Sequence, residues 1–113
     1  MRKLKEKEEK LIKFLLKEIN YDFEVDSLNA IDMTNGMGSI TLLNKSSKKD
    51  RVMSKVISEM TFIDEDNIPI SVSLNIDTHG NLYELDIWKV DFTRFIRYPS
   101  EDSAMSKEGK VID

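Results

Sequence analysis

Residues 68–77 alternate without a break. Ile68, Ile70, Val72, Leu74 and Ile76 fall on one side of an extended chain, and Pro69, Ser71, Ser73, Asn75 and Asp77 on the other. A period of two over this length describes a strand with one face in a core and the other toward solvent. Antiparallel sheets tolerate that arrangement; parallel sheets bury both faces. Pro69 has no amide to give a ladder, which suits an edge or the first position of a strand. Whatever else the chain forms must cover the apolar side of this strand.

The covering element is expected at the N-terminus, where the period changes. Leu4, Leu11, Ile12, Leu15, Leu16 and Ile19 lie on one side at helical spacing, so a helix is read from Lys5 to Ile19. Glu6 with Lys10 and Glu9 with Lys13 form favourable i,i+4 pairs. Glu8 falls in the apolar sector, where only the first turn, near the positive helix end, would suit it. Lys5 and Glu8 have capping-box spacing, but a lysine has no oxygen with which to cap, so a frayed start is expected. Asn20 is the stop signal.

Further strands are read at Ser27–Met33, Ser39–Leu43, Val52–Ile63 (bulged, because its alternation is imperfect) and Leu82–Val90. Turns are read at Thr34–Gly38, Asp64–Asn67 and Thr78–Asn81, and a polar loop at Asn44–Asp50. Successive strands with short turns pair antiparallel. The expected fold is therefore α+β: the amphipathic helix packed on a mostly antiparallel meander sheet of about five strands. One domain is expected over residues 1–98, with Phe95, Ile96 and Tyr98 tucked against it. Residues 99–113 are read as a polar tail, expected to be mobile, with at most one helical turn.

The chain has 113 residues, no cysteine and a net charge of −4. One core is what this length supports. The missing cysteines exclude disulfides and thiolate zinc sites. The N-terminus carries no apolar signal-peptide core, and no apolar run is long enough to cross a bilayer. A cytoplasmic location is the expectation. Residues 1–20 hold seven Lys/Arg against four Glu, whereas residues 51–92 hold three basic residues against eight acids. An acidic sheet argues against nucleic acid there and permits a basic protein partner. The blander reading is that the acids keep an exposed sheet face solvated.

Candidate chemistry is sparse. Asp64-Glu65-Asp66-Asn67 supplies oxygens for a cation, but the glycine and terminal glutamate of a calcium loop are missing, and turns commonly use these residues. His79, the lone histidine, sits in a turn with no nucleophile marked to accompany it. Gly36 and Gly38 match no phosphate-binding fingerprint. Arg94 and Arg97 could meet an anion or simply be solvated. Glu84 and Asp86 share a strand face with Asn75 and Asp77 opposite; such carboxylates can do acid–base work, but a flat face gives little burial to tune them. Trp88 shares that parity. An exposed Trp there would be a binding hot spot; the expectation is that the segment Phe92–Tyr98 covers it. No catalytic residue, cofactor or metal ligand is assigned.

Three segments carry a resemblance. Asn35-Gly36-Met37-Gly38-Ser39, Ser73-Leu74-Asn75-Ile76-Asp77 with Gly80, and above all Glu84-Leu85-Asp86-Ile87-Trp88-Lys89-Val90-Asp91-Phe92, behind a Leu11-Ile12/Leu15-Leu16 helix, resemble a small bacterial family of uncharacterised proteins. The resemblance spans most of residues 1–98. It implies one small bacterial domain and no activity. The functional expectation is a non-enzymatic protein-binding domain using Asn75, Asp77, Glu84, Asp86 and Trp88, a toxin-immunity role being one version by analogy of size and charge. The alternatives are a ligand-binding or enzymatic pocket between helix and sheet, and a module that self-associates through an edge strand.

Overall fold

The structure is a computed structural model. It describes residues 1–105 apart from 35, 46 and 49. Asn35 of the expected hairpin turn, Ser46 and Lys49 of the polar loop, and the tail from 106 onward lie outside the described residues.

Helix α1 spans Glu6–Glu18, with Lys5 as N-cap and Ile19 as C-cap. Its end is chemically specific. Asn20 has φ +53°, and the amides of Asn20 and Tyr21 donate to the carbonyls of Lys17 (3.2 Å) and Leu16 (3.0 Å). That is a Schellman closure with Asn in the left-handed position. The start is tied down, contrary to the expected fraying. The Lys5 amide donates to Glu8 Oε1 at 2.8 Å, the half of a capping box that needs no side chain from Lys5. Arg2 then grips the Glu8 carboxylate with both Nη atoms, each at 2.8 Å, and reaches Asp32 at 2.7 Å. The partnered Glu8 is thereby tolerated at 4 % exposure beside the core.

The strands are β1 (Arg2–Lys3), β2 (Asn29–Asp32), β3 (Ile40–Leu43), β4 (Met53–Ile63), β5 (Pro69–Asp77) and β6 (Leu82–Lys89). They form one antiparallel sheet in the order β1-β2-β3-β6-β5-β4. The α+β expectation holds, with six strands rather than five. β1 is only two residues long and carries no alternation to read. The order also departs from a simple meander: β3 pairs with β6, and β4, next in the chain, lies at the far edge. Strands β4, β5 and β6 form a local meander with β3 returned beside β6, a Greek-key order. The expected bulges in β4 fall between Met53 and Lys55 and between Val56 and Ser58.

Hairpin β2–β3 turns through Gly36 (φ +70°) and Gly38 (φ +90°). At Gly38 a side chain would also collide with Phe95, whose ring lies 2.8 Å from the position a Cβ would take. Ser39 then joins β3 to β6: its hydroxyl accepts from the Ile87 amide at 2.8 Å and donates to the Ile87 carbonyl at 3.1 Å.

One sheet face meets the helix. Leu11, Ile12, Leu15 and Leu16 pack onto Ile40, Leu42, Ile70, Val72, Leu74, Leu85 and Ile87, all buried. These side chains occupy the space in which the alternative reading placed a pocket between helix and sheet. Phe14, absent from the expected apolar stripe, is buried too and meets Phe62 edge-on at 6.3 Å. In the described part of the segment read as a tail, residues 99–105, a short 3-10 turn spans Glu101–Ser103, with Glu101 and Asp102 exposed, and buried Ala104 bridges to Phe62.

Replacing Glu8 by Ala removes both the amide acceptor at the helix start and the carboxylate that Arg2 grips. A loss of about 1–2 kcal/mol is expected, read as a lower urea midpoint at unchanged m-value. An unaltered midpoint would show that the Arg2–Glu8 tie carries no stability.

Candidate functional site

The face of the sheet away from the helix is covered by no element among the described residues. Register sets its rows: Thr61–Ser71–Trp88, Glu59–Ser73–Asp86 and Val56–Asn75–Glu84–Thr41. Three of the expected site residues meet here. Asn75 Nδ2 lies 3.3 Å from Glu84 Oε1 and 3.5 Å from Asp86 Oδ2, while its Oδ1 accepts from the Glu84 amide at 3.0 Å. Asn75 is only 2 % exposed, so it positions the two carboxylates rather than meeting a partner. Burial, and then the neighbouring Glu84 charge, push the Asp86 carboxyl above the usual range.

Asp77 departs further from expectation. It is 1 % exposed and belongs to the β5–β6 turn. Its Oδ1 accepts from the amides of His79 (2.8 Å) and Asn81 (3.0 Å), and its Oδ2 lies 3.4 Å from Arg51 Nη1. Arg51 also bonds the carbonyls of Leu42 and Leu82 and lies over the Tyr83 ring at 4.4 Å. Buried and bonded on both oxygens, Asp77 holds this turn together. His79 is an exposed residue of the same turn.

Trp88 is 41 % exposed, so the segment Phe92–Tyr98, expected to cover it, does so only in part and through Phe92. Phe92 stacks beside it, ring centres 5.8 Å apart, and is itself 78 % exposed. The left-handed φ of Phe92, +64°, turns the chain away. Phe95 and Tyr98 then pack edge to face at 5.5 Å on the helix side. Ile31, Val56 and Val90 add exposed apolar area on the open face.

The reason for that diversion is a buried charge cluster. Lys89 shares the parity of Leu85 and Ile87, so it points into the core side. Its Nζ lies 2.9 Å from Asp64 and 2.5 Å from Asp66. Asp64 also accepts from the amides of Glu65 (2.8 Å), Ile96 (2.6 Å) and Arg97 (3.0 Å). Burial works against the charged form of Asp64, but the Ile96 amide, Lys89 and the other amides outweigh it and hold its carboxyl down at about 2. The turn read as a candidate cation loop thus has an ammonium among its carboxylates. Among the described residues, no group of three or more His, Asp or Glu is placed to hold a metal ion.

A cavity of about 750 Å³ lies on the outer flank of α1, against the segment 97–102. Leu11, Phe14, Tyr98 and Pro99 line it, with lysines of α1 along one side. Burial pushes the Tyr98 phenol upward, and its hydroxyl is buried without a hydrogen-bond partner among the described residues. Only the basic bias of residues 1–20 hinted at this groove; nothing in the local pattern of residues 97–102 marked them as a wall.

A two-layer α+β domain with one sheet face open is what this geometry defines. The chain belongs to a family described as a domain of unknown function, DUF6984, whose model matches residues 1–99. No curated protein and no solved structure matches it. Among the described residues, no helix is long and apolar enough to cross a membrane.

Two outcomes check this geometry. The depressed Asp64 carboxyl contributes stability that is fully present above 3.8 and lost as pH falls toward about 2. Asp64→Asn should lower stability at neutral pH by on the order of 3 kcal/mol and flatten the acid limb of the stability–pH curve across that window; an acid limb parallel to the wild type's would refute the assignment. Trp88 is the sole tryptophan, so its emission maximum should lie close to that of indole in water and respond strongly to acrylamide; a blue-shifted, unquenched emission would mean a covered ring.

Proposed function

We propose that this chain is a non-enzymatic protein-binding domain that meets a basic partner through its open sheet face. The observation that carries the reading is the stacked Trp88–Phe92 pair, exposed beside Glu84 and Asp86 on a sheet face that no other element covers among the described residues. Aromatic side chains anchor interfaces because they bury much area at little entropic cost, and tryptophan leads the residues whose truncation is most damaging. The flanking carboxylates add sign: they speed encounter with a positively charged surface and penalise an acidic one. Burial, and then the Glu84 charge, raise the Asp86 carboxyl, and a cation placed beside the pair would offset the second of these.

Asn75 and Asp77 support this face: Asn75 bonds both carboxylates and Asp77 holds the adjoining turn. A toxin-neutralising role is one version of the reading, because a small acidic domain can block a basic nucleic-acid-degrading surface by charge and shape alone. Bacterial origin and a cytoplasmic setting would accord with it.

The test compares two immobilised baits at low salt, the wild-type chain and a Glu84→Ser/Asp86→Ser/Trp88→Ala variant, against lysate of the native host. A basic protein retained by the first and lost by the second, with retention falling steeply as salt rises, is the expected result. Equal retention by both baits would remove the sheet face from the function.

A further inference from the structure

The groove on the flank of α1 is separate from the open sheet face and opposite to it in charge. Five cations, Lys7, Lys10, Lys13, Lys17 and Arg97, line it with two carboxylates, Glu101 and Asp102, in a chain of net charge −4. Lys10 is paired with Glu6, Lys13 with Glu9 and Asp26, and Arg97 with Asp102. Lys7 and Lys17 make no ion pair among the described residues.

We propose that this groove binds an acidic polypeptide segment carrying an apolar anchor. Charge complementarity selects the sign of the occupant. The shape selects its class: the groove is concave, about 750 Å³, and floored by Leu11, Phe14, Tyr98 and Pro99, so it offers an apolar side chain a seat between the lysines of the helix and the wall made by residues 97–102. A bilayer or a duplex presents a broad surface and would leave that floor unused. The α1 register favours this use, because residues three and four apart put the lysines along one exposed flank while Leu11 and Phe14 point beneath them.

Fluorescence anisotropy on the whole chain tests it. The probe is a short labelled peptide rich in Glu with a central Leu-Phe pair. The comparators are the same peptide with Gly for Leu-Phe, its Lys-for-Glu counterpart, a single-stranded oligonucleotide and phosphatidylserine vesicles. The acidic anchored peptide should bind best. Its affinity should fall about tenfold in a Lys7→Glu/Lys10→Glu/Lys17→Glu variant and should be unchanged in the Glu84→Ser/Asp86→Ser/Trp88→Ala variant. Circular dichroism verifies the fold of each variant, and Lys7→Gln/Lys17→Gln, a milder change at exposed positions, should show a smaller loss in the same direction. Absence of binding, equal binding by the charge-reversed variant, indifference to the Leu-Phe anchor, or a preference for oligonucleotide or vesicles would each overturn the proposal.

Discussion

The Lys89–Asp64 pair organises both surfaces of this domain. An ammonium and a carboxylate placed on the core side of a sheet are tolerable only if each finds partners, because an unpaired buried charge is severely penalised. Asp64 finds three amides besides Lys89, and two of them belong to Ile96 and Arg97, thirty-two and thirty-three residues further on. Satisfying this carboxylate therefore pulls the chain after β6 across to the helix side. That movement creates the groove, since Tyr98 and Pro99 follow directly. The same movement leaves the opposite sheet face open, since the residues that could have covered Trp88 have been drawn to the other side.

This coupling explains why the fold was legible in the sequence while the surfaces were not. Period decides elements, and the elements emerged nearly where period placed them: the helix within a residue or so at each end, β5 as the clean alternating strand, and Asn20 as the helix stop. Period is silent on two-residue pairings such as β1 and on which strand lies beside β3. A signal for the buried pair was present all the same. Lys89 falls in phase with Leu85 and Ile87, and a lysine on the apolar side of a strand requires a carboxylate. The acidic turn at Asp64–Asn67 was the obvious supplier, because β5 runs between them and antiparallel pairing brings the start of β5 to the end of β6. Asp77 misled for the opposite reason: its parity is that of a solvent-facing residue, but the irregular register between Asn75 and Ile76 and the bonding demands of the turn draw it inward.

The polar groups sort by what holds them. Glu8, Asp64, Asp77 and Lys89 are buried, each with charged or amide partners, and their chemistry is spent on the fold. Glu84, Asp86 and the lysines of α1 keep capacity toward solvent. Binding requires groups of the second kind, since a charge already saturated internally gains little from a partner.

The edges of the sheet point the same way. An open edge strand invites pairing with another chain, and β4 is the long one here. Its strand is interrupted by two bulges and carries Lys55 and Glu59, both of which weaken edge-to-edge addition. Its far end is already occupied, as Met105 donates its amide to the Thr61 carbonyl at 2.8 Å and Ala104 bridges to Phe62. At the opposite margin β1 is too short to template a strand. Among the described residues, the sheet edges thus carry features that discourage pairing, while the faces differ in character: acidic and aromatic on the open sheet, basic and apolar-floored along the helix.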